Sequence, residues 1–201
     1  MKKHMSKIFA MALALCMMVC MSATAFAAEI RETGGTGTVP VVLSSVDDEG
    51  NPAPTALSVT VPTALPLSMK QDGTVIAASK GVIINNSFGA VRVRSVTITA
   101  ANDWTLTNYD ASNLFAADKV DSNKLGFSIG LGDGAMYSTT NENENTQTLI
   151  SAPVAGCYMS GASDTSANTI AVRYAAICTP VSSPVTDATI ANVVFVVEWD
   201  T

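Results

Sequence analysis

The sequence consists mainly of short runs of aliphatic and β-branched residues separated by Gly, Pro, Asn and Asp, and it shows almost no helical periodicity. Runs of this kind predict β-strands, and the residues between them favour turns. Residues 57–61 (LSVTV) alternate cleanly between apolar and polar side chains and stop at Pro62. Only residues 110–120 could hold a helical turn. The pattern therefore predicts an all-β protein.

The strand pattern recurs along most of the chain. Predicted strands cover residues 57–61, 75–78, 81–85, 91–99, 104–106, 125–129, 146–154, 169–178 and 190–199. Eight or more short strands with turn signals between them are typical of an antiparallel β-sandwich. The 174 residues that follow residue 27 are enough to bury one core in a single domain. We expect a sandwich of immunoglobulin-like or jelly-roll style.

Two of the predicted strands carry finer information. In residues 91–99 (VRVRSVTIT) the apolar positions change from odd to even numbers after Arg94. A β-bulge near Arg94 and Ser95 would keep all four apolar side chains on one face. Residues 193–197 (VVFVV) are apolar at every position, which is typical of a strand covered on both faces. We expect this last strand to be integral to the core.

The first 27 residues have the pattern of a secretory signal peptide. A positively charged start (MKKHMSK) precedes an uninterrupted apolar run over residues 8–21. This run has the length of a signal-peptide core and is short for a membrane span. The sequence AFA at residues 25–27 then offers a cleavage site. We expect an extracellular protein, secreted or associated with the cell surface, with no membrane span after cleavage.

Two alternatives for the N-terminus are less well supported. An uncleaved membrane anchor would use the same apolar run, but a good cleavage site follows it. Lipid attachment at Cys16 or Cys20 prefers a small preceding residue, and Leu15 and Val19 stand there. The predicted organisation is therefore a signal peptide at 1–27, an N-terminal segment at 28–56 and a β-sandwich domain at 57–201.

The N-terminal segment contains one apolar stretch between flexible or turn-rich sequences. Residues 34–37 (GGTG) precede the stretch and residues 47–54 (DDEGNPAP) follow it. The stretch itself runs from Val39 to Val46 (VPVVLSSV). It either forms the first strand of its own domain or adds to the sheet of a neighbouring subunit, the β-augmentation that some surface fibres use.

Removal of the signal peptide changes the composition that bears on function. Three lysines and no acidic residue leave with residues 1–27, so the formal net charge goes from −6 to −9. No basic cluster remains for a phosphate backbone, and we expect no nucleic-acid partner. His4, the single histidine, leaves as well. Without imidazole, neither a Ser-His-Asp or Cys-His mechanism nor a histidine zinc site can form. We expect no catalytic residue, no metal site and no cofactor.

Two cysteines remain after cleavage, Cys157 and Cys178. An exported chain permits a disulfide, and this one would close a loop of about twenty residues and contribute about 3 kcal/mol. Cys178 shares the parity of the apolar positions in its strand, so we expect it to face the core. The polar residues 160–168 would let the chain reverse beside it. The pair forms either one disulfide or two buried free thiols.

Residues 57–106 carry a set of short motifs, namely VTVPTALPLSM, DGTV, IINNS, VRVRSVTI and DWTL. With these motifs the stretch resembles a domain that recurs in secreted surface proteins of Gram-positive anaerobes. The resemblance implies a β-rich fold, an extracellular location and a role as a cell-surface or fibre component. Its motifs are turn and core residues, so it implies no site. The chain departs from ordinary surface anchoring because it lacks an LPxTG-type sorting motif, and we expect it to diffuse away or to be held non-covalently.

Three groups of residues have the composition of binding sites. Trp104 and Tyr109 could form an aromatic platform for sugar rings, although a Trp before an alternating strand is more often a core residue. The acidic turns at 47–51 and 132–134, with Glu142 and Glu144, offer oxygen ligands for calcium. They lack EF-hand spacing, so solvated turns are the preferred interpretation. Residues 130–134 (GLGDG) are interpreted as a hairpin turn.

Three functional hypotheses follow from these observations. The leading one is a non-catalytic extracellular structural or interaction protein, a candidate cell-surface or fibre subunit that associates with itself or with a cell-surface glycan or protein. The alternative is a carbohydrate-binding module. The third is a carboxylate-dependent hydrolase, which would need two carboxyl groups roughly 5 to 10 Å apart in a cleft.

Overall fold

The structure is a computed structural model that describes residues 41, 43–51, 53–78, 81–112, 115, 118–140 and 144–201. It divides into two compact units, Met1–Pro54 and Thr55–Thr201. The described residues form strands and turns and contain no helix, so the protein is all-β, as the sequence predicts. Among them there is accordingly no helix of the length and hydropathy that a membrane crossing requires. The predicted signal peptide lies outside the described residues.

Twelve strands form within the described part of the chain, all of them in the second unit. They are β1 (Val59–Thr60), β2 (Leu67–Met69), β3 (Val75–Ala77), β4 (Gly81–Asn85), β5 (Val91–Ala100), β6 (Thr105–Thr107), β7 (Lys124–Leu131), β8 (Met136–Ser138), β9 (Thr146–Ile150), β10 (Tyr158–Met159), β11 (Thr169–Cys178) and β12 (Ala191–Trp199).

The first sheet has the order β1-β4-β11-β7-β6, and β8 also pairs with β7. All its pairs are antiparallel except β6 with β7, which is parallel. Thr139 closes this parallel junction, because its Oγ1 accepts a hydrogen bond from Phe127 N (3.0 Å) and donates one to Thr107 O (2.5 Å). A buried hydroxyl thus joins the last residue of β6 to the middle of β7. The parallel pair was not predicted from the sequence.

The second sheet has β5 at its centre. β12 pairs antiparallel with one edge of β5, and β9 and β10 pair antiparallel with the other. β2 and β3 form a separate two-stranded hairpin. Tyr174 on β11 donates a hydrogen bond from its hydroxyl to Pro66 O (3.0 Å), which ties the hairpin to the first sheet.

One hydrophobic core draws its residues from both larger sheets. β7 supplies alternate large side chains to it, namely Leu125, Phe127, Ile129 and Leu131. From the second sheet, β5 contributes Val91, Val93, Val96 and Ile98, each with 0% exposure. The apolar residues that alternate along these strands in the sequence therefore lie on the face that each strand buries.

The predicted β-bulge in β5 is confirmed. β12 pairs Val196 with Ser95 and then Val197 with Val93, so Arg94 has no partner of its own in this ladder. The extra residue changes the parity of β5 and keeps its apolar residues on the buried face, as the sequence pattern required. Because the extra residue belongs to β5, β12 itself runs as a regular strand.

Other expectations need correction. Residues 193–197 are not covered on both faces, because Val194 and Val196 remain 53% and 43% exposed. β12 is an edge strand of its sheet, and only one of its faces is directed towards the core. The described residues within 110–120 form turns and no helical turn. The strands β2, β8 and β10 were not predicted, since two or three residues are too short to show a period.

Candidate functional site

The most distinctive surface of the described chain is the outer edge of β12. β12 pairs with β5 over nine residues, and no strand of the described residues pairs with its other edge. Ala101 N donates to Ile190 O and Asp200 N to Ala90 O, both at 3.0 Å, so even-numbered residues of β12 make the ladder to β5. The backbone N–H and C=O groups of the odd-numbered residues, Val193 to Val197, therefore point towards the open edge.

Within the part of the chain that the structure describes, residues 191–197 of this edge carry none of the usual protection. Natural edge strands are commonly guarded by lysine, proline, a bulge or an inward-pointing charge. Residues 191–197 of β12 contain neither a charged residue nor a proline, and the bulge lies in β5. Such an edge is a template for pairing with a further strand.

The charges that do occur lie at the C-terminal end of β12. Arg92 Nε contacts Glu198 Oε1 at 2.9 Å, and Arg92 Nη1 contacts Asp200 Oδ1 at 3.1 Å. The hydrogen bond to Glu198 raises the pKa of Arg92 above its ordinary value. Arg94 adds a longer contact of 3.7 Å to Glu198. These groups compensate one another and leave the middle of β12 neutral.

Beyond this cluster, the described residues on the outward face of the second sheet are uncharged, and four of them are threonines. Thr97 and Thr148 bring their hydroxyls to 3.2 Å, and Thr99 and Thr146 to 3.1 Å. Cross-strand threonine pairs of this kind stabilise neighbouring strands. The exposed apolar side chains of this face are Val194 and Val196 on β12 and Tyr158 on β10, at the opposite edge of the sheet.

A second exposed apolar feature is Phe88, whose side chain is 83% exposed in the loop between β4 and β5. The loop is held rigidly by the buried amide of Asn85. Its Nδ2 donates to Gly89 O (2.9 Å) and Ser160 O (2.7 Å), and its Oδ1 accepts from Ser87 N (2.8 Å). An aromatic side chain on a preorganised loop is a typical anchor in protein interfaces.

Trp104 lines an open pocket of about 380 Å³ at one end of the domain. The other lining residues are Asn102, Asp121, Asn123, Val181, Ser182, Ser183, Val185, Ala188 and Thr189. Asp121 Oδ1 accepts from Ser182 N (2.8 Å), and its Oδ2 from Ser182 Oγ (2.5 Å), which lowers the pKa of Asp121. Among the described residues that line the pocket Asp121 is the sole carboxylate, and these residues do not form the carboxyl pair that hydrolysis of a glycoside needs.

Tyr109 does not join Trp104 in this pocket. The two residues stand before and after β6, five positions apart, which is about 16 Å along an extended chain. Trp104 is half-buried and packs against the core. Tyr109 is not among the residues that line the pocket, and the packing of Trp104 against the core agrees with the preferred interpretation of this residue.

Cys157 and Cys178 are both free and buried, so the candidate disulfide is not formed. Cys178 pairs with Leu125 at one end of β7, whereas Gly156 beside Cys157 lies against Leu131 O at the other end. Six residues of strand span about 20 Å, well beyond the Cα separation of a disulfide. Burial raises the pKa of Cys157, and it raises that of Cys178 to about 12. Both thiols are therefore protonated and weakly reactive at neutral pH.

The acidic turns have structural roles in the described residues. Asp47 Oδ1 accepts hydrogen bonds from Glu49 N (3.0 Å) and Asn51 N (2.8 Å), which closes its own turn. Residues 130–134 contain the β7–β8 turn, as predicted, with Gly134 N donating to Leu131 O at 3.0 Å. The described residues contain no group of three or more candidate metal ligands, and Glu142 lies outside them.

Comparison with protein families, with curated proteins and with solved structures finds no match for this chain. The resemblance over residues 57–106 therefore stays a prediction. The candidate sites stand on their own geometry.

Sequence reasoning missed the two exposed apolar features. The composition of residues 193–197 does not distinguish an edge strand from a central one. Phe88 lies among turn-forming residues (NNSFGA). An aromatic residue in a stretch that otherwise favours exposure was the sequence feature that could have indicated an exposed apolar side chain.

Proposed function

We propose that this protein is a non-catalytic extracellular structural or interaction protein that acts by self-association, as a cell-surface or fibre subunit does. We propose further that a signal peptide is removed at residue 27 and that the two larger sheets form an antiparallel sandwich of immunoglobulin-like or jelly-roll style. The shared core between the sheets supports the sandwich. The signal-peptide pattern and the resemblance support the location.

One observation carries the proposal of self-association, namely the long unprotected edge of β12. A regular nine-residue strand with outward Val194 and Val196 and no charge over residues 191–197 is the kind of edge that other chains extend. In a soluble monomer such an edge is a liability. In a subunit of an assembly it is an interface.

The test is the molar mass of the secreted chain, measured by light scattering over a range of concentrations. We expect a mass that rises with concentration for the natural sequence and stays at one chain for Val194→Lys/Val196→Lys. The matched control is Val82→Lys, because Val82 is 43% exposed, as Val196 is, but lies on β4 inside the first sheet. A natural chain that stays monomeric at high concentration would contradict the proposal.

A second candidate function, carbohydrate binding, is favoured by the end pocket. Trp104 stands there among Asn, Ser and Thr side chains, a combination that suits the faces and hydroxyls of a neutral sugar. Binding would change the fluorescence of Trp104. We expect a glycan-dependent signal in Trp199→Phe, which keeps Trp104, and none in Trp104→Phe. A glycan array without hits would eliminate this function.

A further inference from the structure

We propose that the apolar segment at residues 39–46 of one chain adds as a strand to the open edge of β12 in the next chain. This inference rests on the proposed self-association and names its two surfaces. It makes the assembly head-to-tail, with a donor segment and an acceptor edge on each chain.

The acceptor is incomplete on its core-facing side. Val193, Phe195 and Val197 direct their side chains towards the core but are only half-buried, whereas the corresponding residues of β5 are fully buried. The difference arises because β5 has neighbours on both sides and β12 has one in the described sheet. A further strand beside β12 would cover these side chains and extend the core.

The acceptor also offers backbone groups in the correct pattern. The N–H and C=O groups of residues 193, 195 and 197 point away from β5, because the ladder to β5 uses the even-numbered residues. An added strand would satisfy them with main-chain hydrogen bonds, which supply affinity in β-augmentation.

The donor exposes apolar side chains that need cover. Val41 is 99% exposed and Leu43 is 93% exposed, and neither residue is part of a strand. The two residues are two positions apart in the sequence, so in an extended strand their side chains lie on the same face. That face would continue the row formed by the core-facing residues of β12.

Donor and acceptor agree in length and charge. The donor segment has eight residues and the acceptor strand has nine, so the extended segment spans about 26 Å along an edge of about 30 Å. Neither residues 39–46 nor residues 191–197 contain a charged side chain. Pro40 stands near the start of the segment, where an edge strand tolerates proline.

Pairing of two β12 strands with each other is the competing arrangement. It would cover the acceptor edge but would leave Val41 and Leu43 exposed, and it would stop at a symmetric dimer. Head-to-tail pairing covers both apolar surfaces through one type of contact. It leaves one donor and one acceptor free at the ends, so chains can continue to add.

The deciding experiment mixes two variants of the full secreted chain, one with a blocked donor and one with a blocked acceptor. The donor-blocked variant is Val41→Asp/Leu43→Asp. The acceptor-blocked variant is Val193→Pro, which removes an outward N–H and leaves the ladder to β5 intact. If Val193→Pro does not fold, Val194→Lys/Val196→Lys replaces it, because both of its sites are already exposed.

We expect each variant alone to have the mass of one chain and an equimolar mixture to form a complex of twice that mass, with no larger species. A donor-blocked variant that still dimerises alone would overturn the inference in favour of β12–β12 pairing and leave the proposed self-association intact. A natural chain that does not associate at all would overturn both. A mixture that stays monomeric, while the natural chain associates, would overturn the inference alone.

Discussion

Replacing Cys178 by alanine should change how the free energy of unfolding responds to alkaline pH. The thiol is 4% exposed, and burial raises its pKa from 9.0 to about 12. The unfolded thiol ionises near pH 9, while the folded thiol still holds its proton. The contribution of this group is therefore fully present below pH 9 and is lost as the pH rises towards 12. Three pKa units correspond to about 4 kcal/mol, of which about 2 kcal/mol is lost by pH 10.5.

The assay is urea unfolding of the natural chain and of Cys178→Ala at pH 7.0 and pH 10.5, followed by tryptophan fluorescence. All other ionisable groups are common to both proteins, so their effect cancels in the comparison. We expect the natural chain to lose about 2 kcal/mol more than the variant between the two pH values. Equal losses in both proteins would refute the inference that the thiol is sealed from solvent.

Three further predictions concern stability, each measured by chemical denaturation. Asn85→Asp places carboxylate oxygens where two backbone carbonyls now accept hydrogen bonds, and it should cost about 3 kcal/mol at neutral pH and less at pH 4. Gly156→Ala should cost about 2 to 4 kcal/mol, because φ is +88° and a Cβ would meet a backbone oxygen at 2.2 Å. Gly132→Ala, with positive φ but ordinary contacts, should cost about 1 kcal/mol; an equal loss in both would contradict the steric argument. Glu198→Gln should cost less than about 1 kcal/mol, because its ion pair with Arg92 is partly exposed.

The long strands could be predicted from the sequence because each has a clear pattern and clear ends. β4 and β11 begin and end at the predicted residues, since turn-forming Asn and Ser precede or follow them. The bulge in β5 was predictable because a change of parity within one apolar strand has few other solutions. The parallel pair of β6 and β7 was not, because pairing between distant segments leaves no local mark.

The candidate site depends on relations that sequence patterns do not contain. The parity of Cys178 correctly predicted its burial, but not its position about 20 Å along β7 from the other thiol. Residues 193–197 would have the same composition at the centre or the edge of a sheet. Whether a further strand lies beside them is decided by topology, so the open edge became visible only in the structure.

The pairing of β5 with β12 has a consequence for how the chain folds. Val91 pairs with Trp199, so the longest ladder of the second sheet joins segments about a hundred residues apart. Closing so large a loop is costly in chain entropy, and folds rich in such contacts form slowly. During synthesis β5 cannot form this ladder until residues 191–199 have left the ribosome. Until this ladder closes, the edge of β5 that pairs with β12 stays open, and intermediates with such an edge are prone to aggregation.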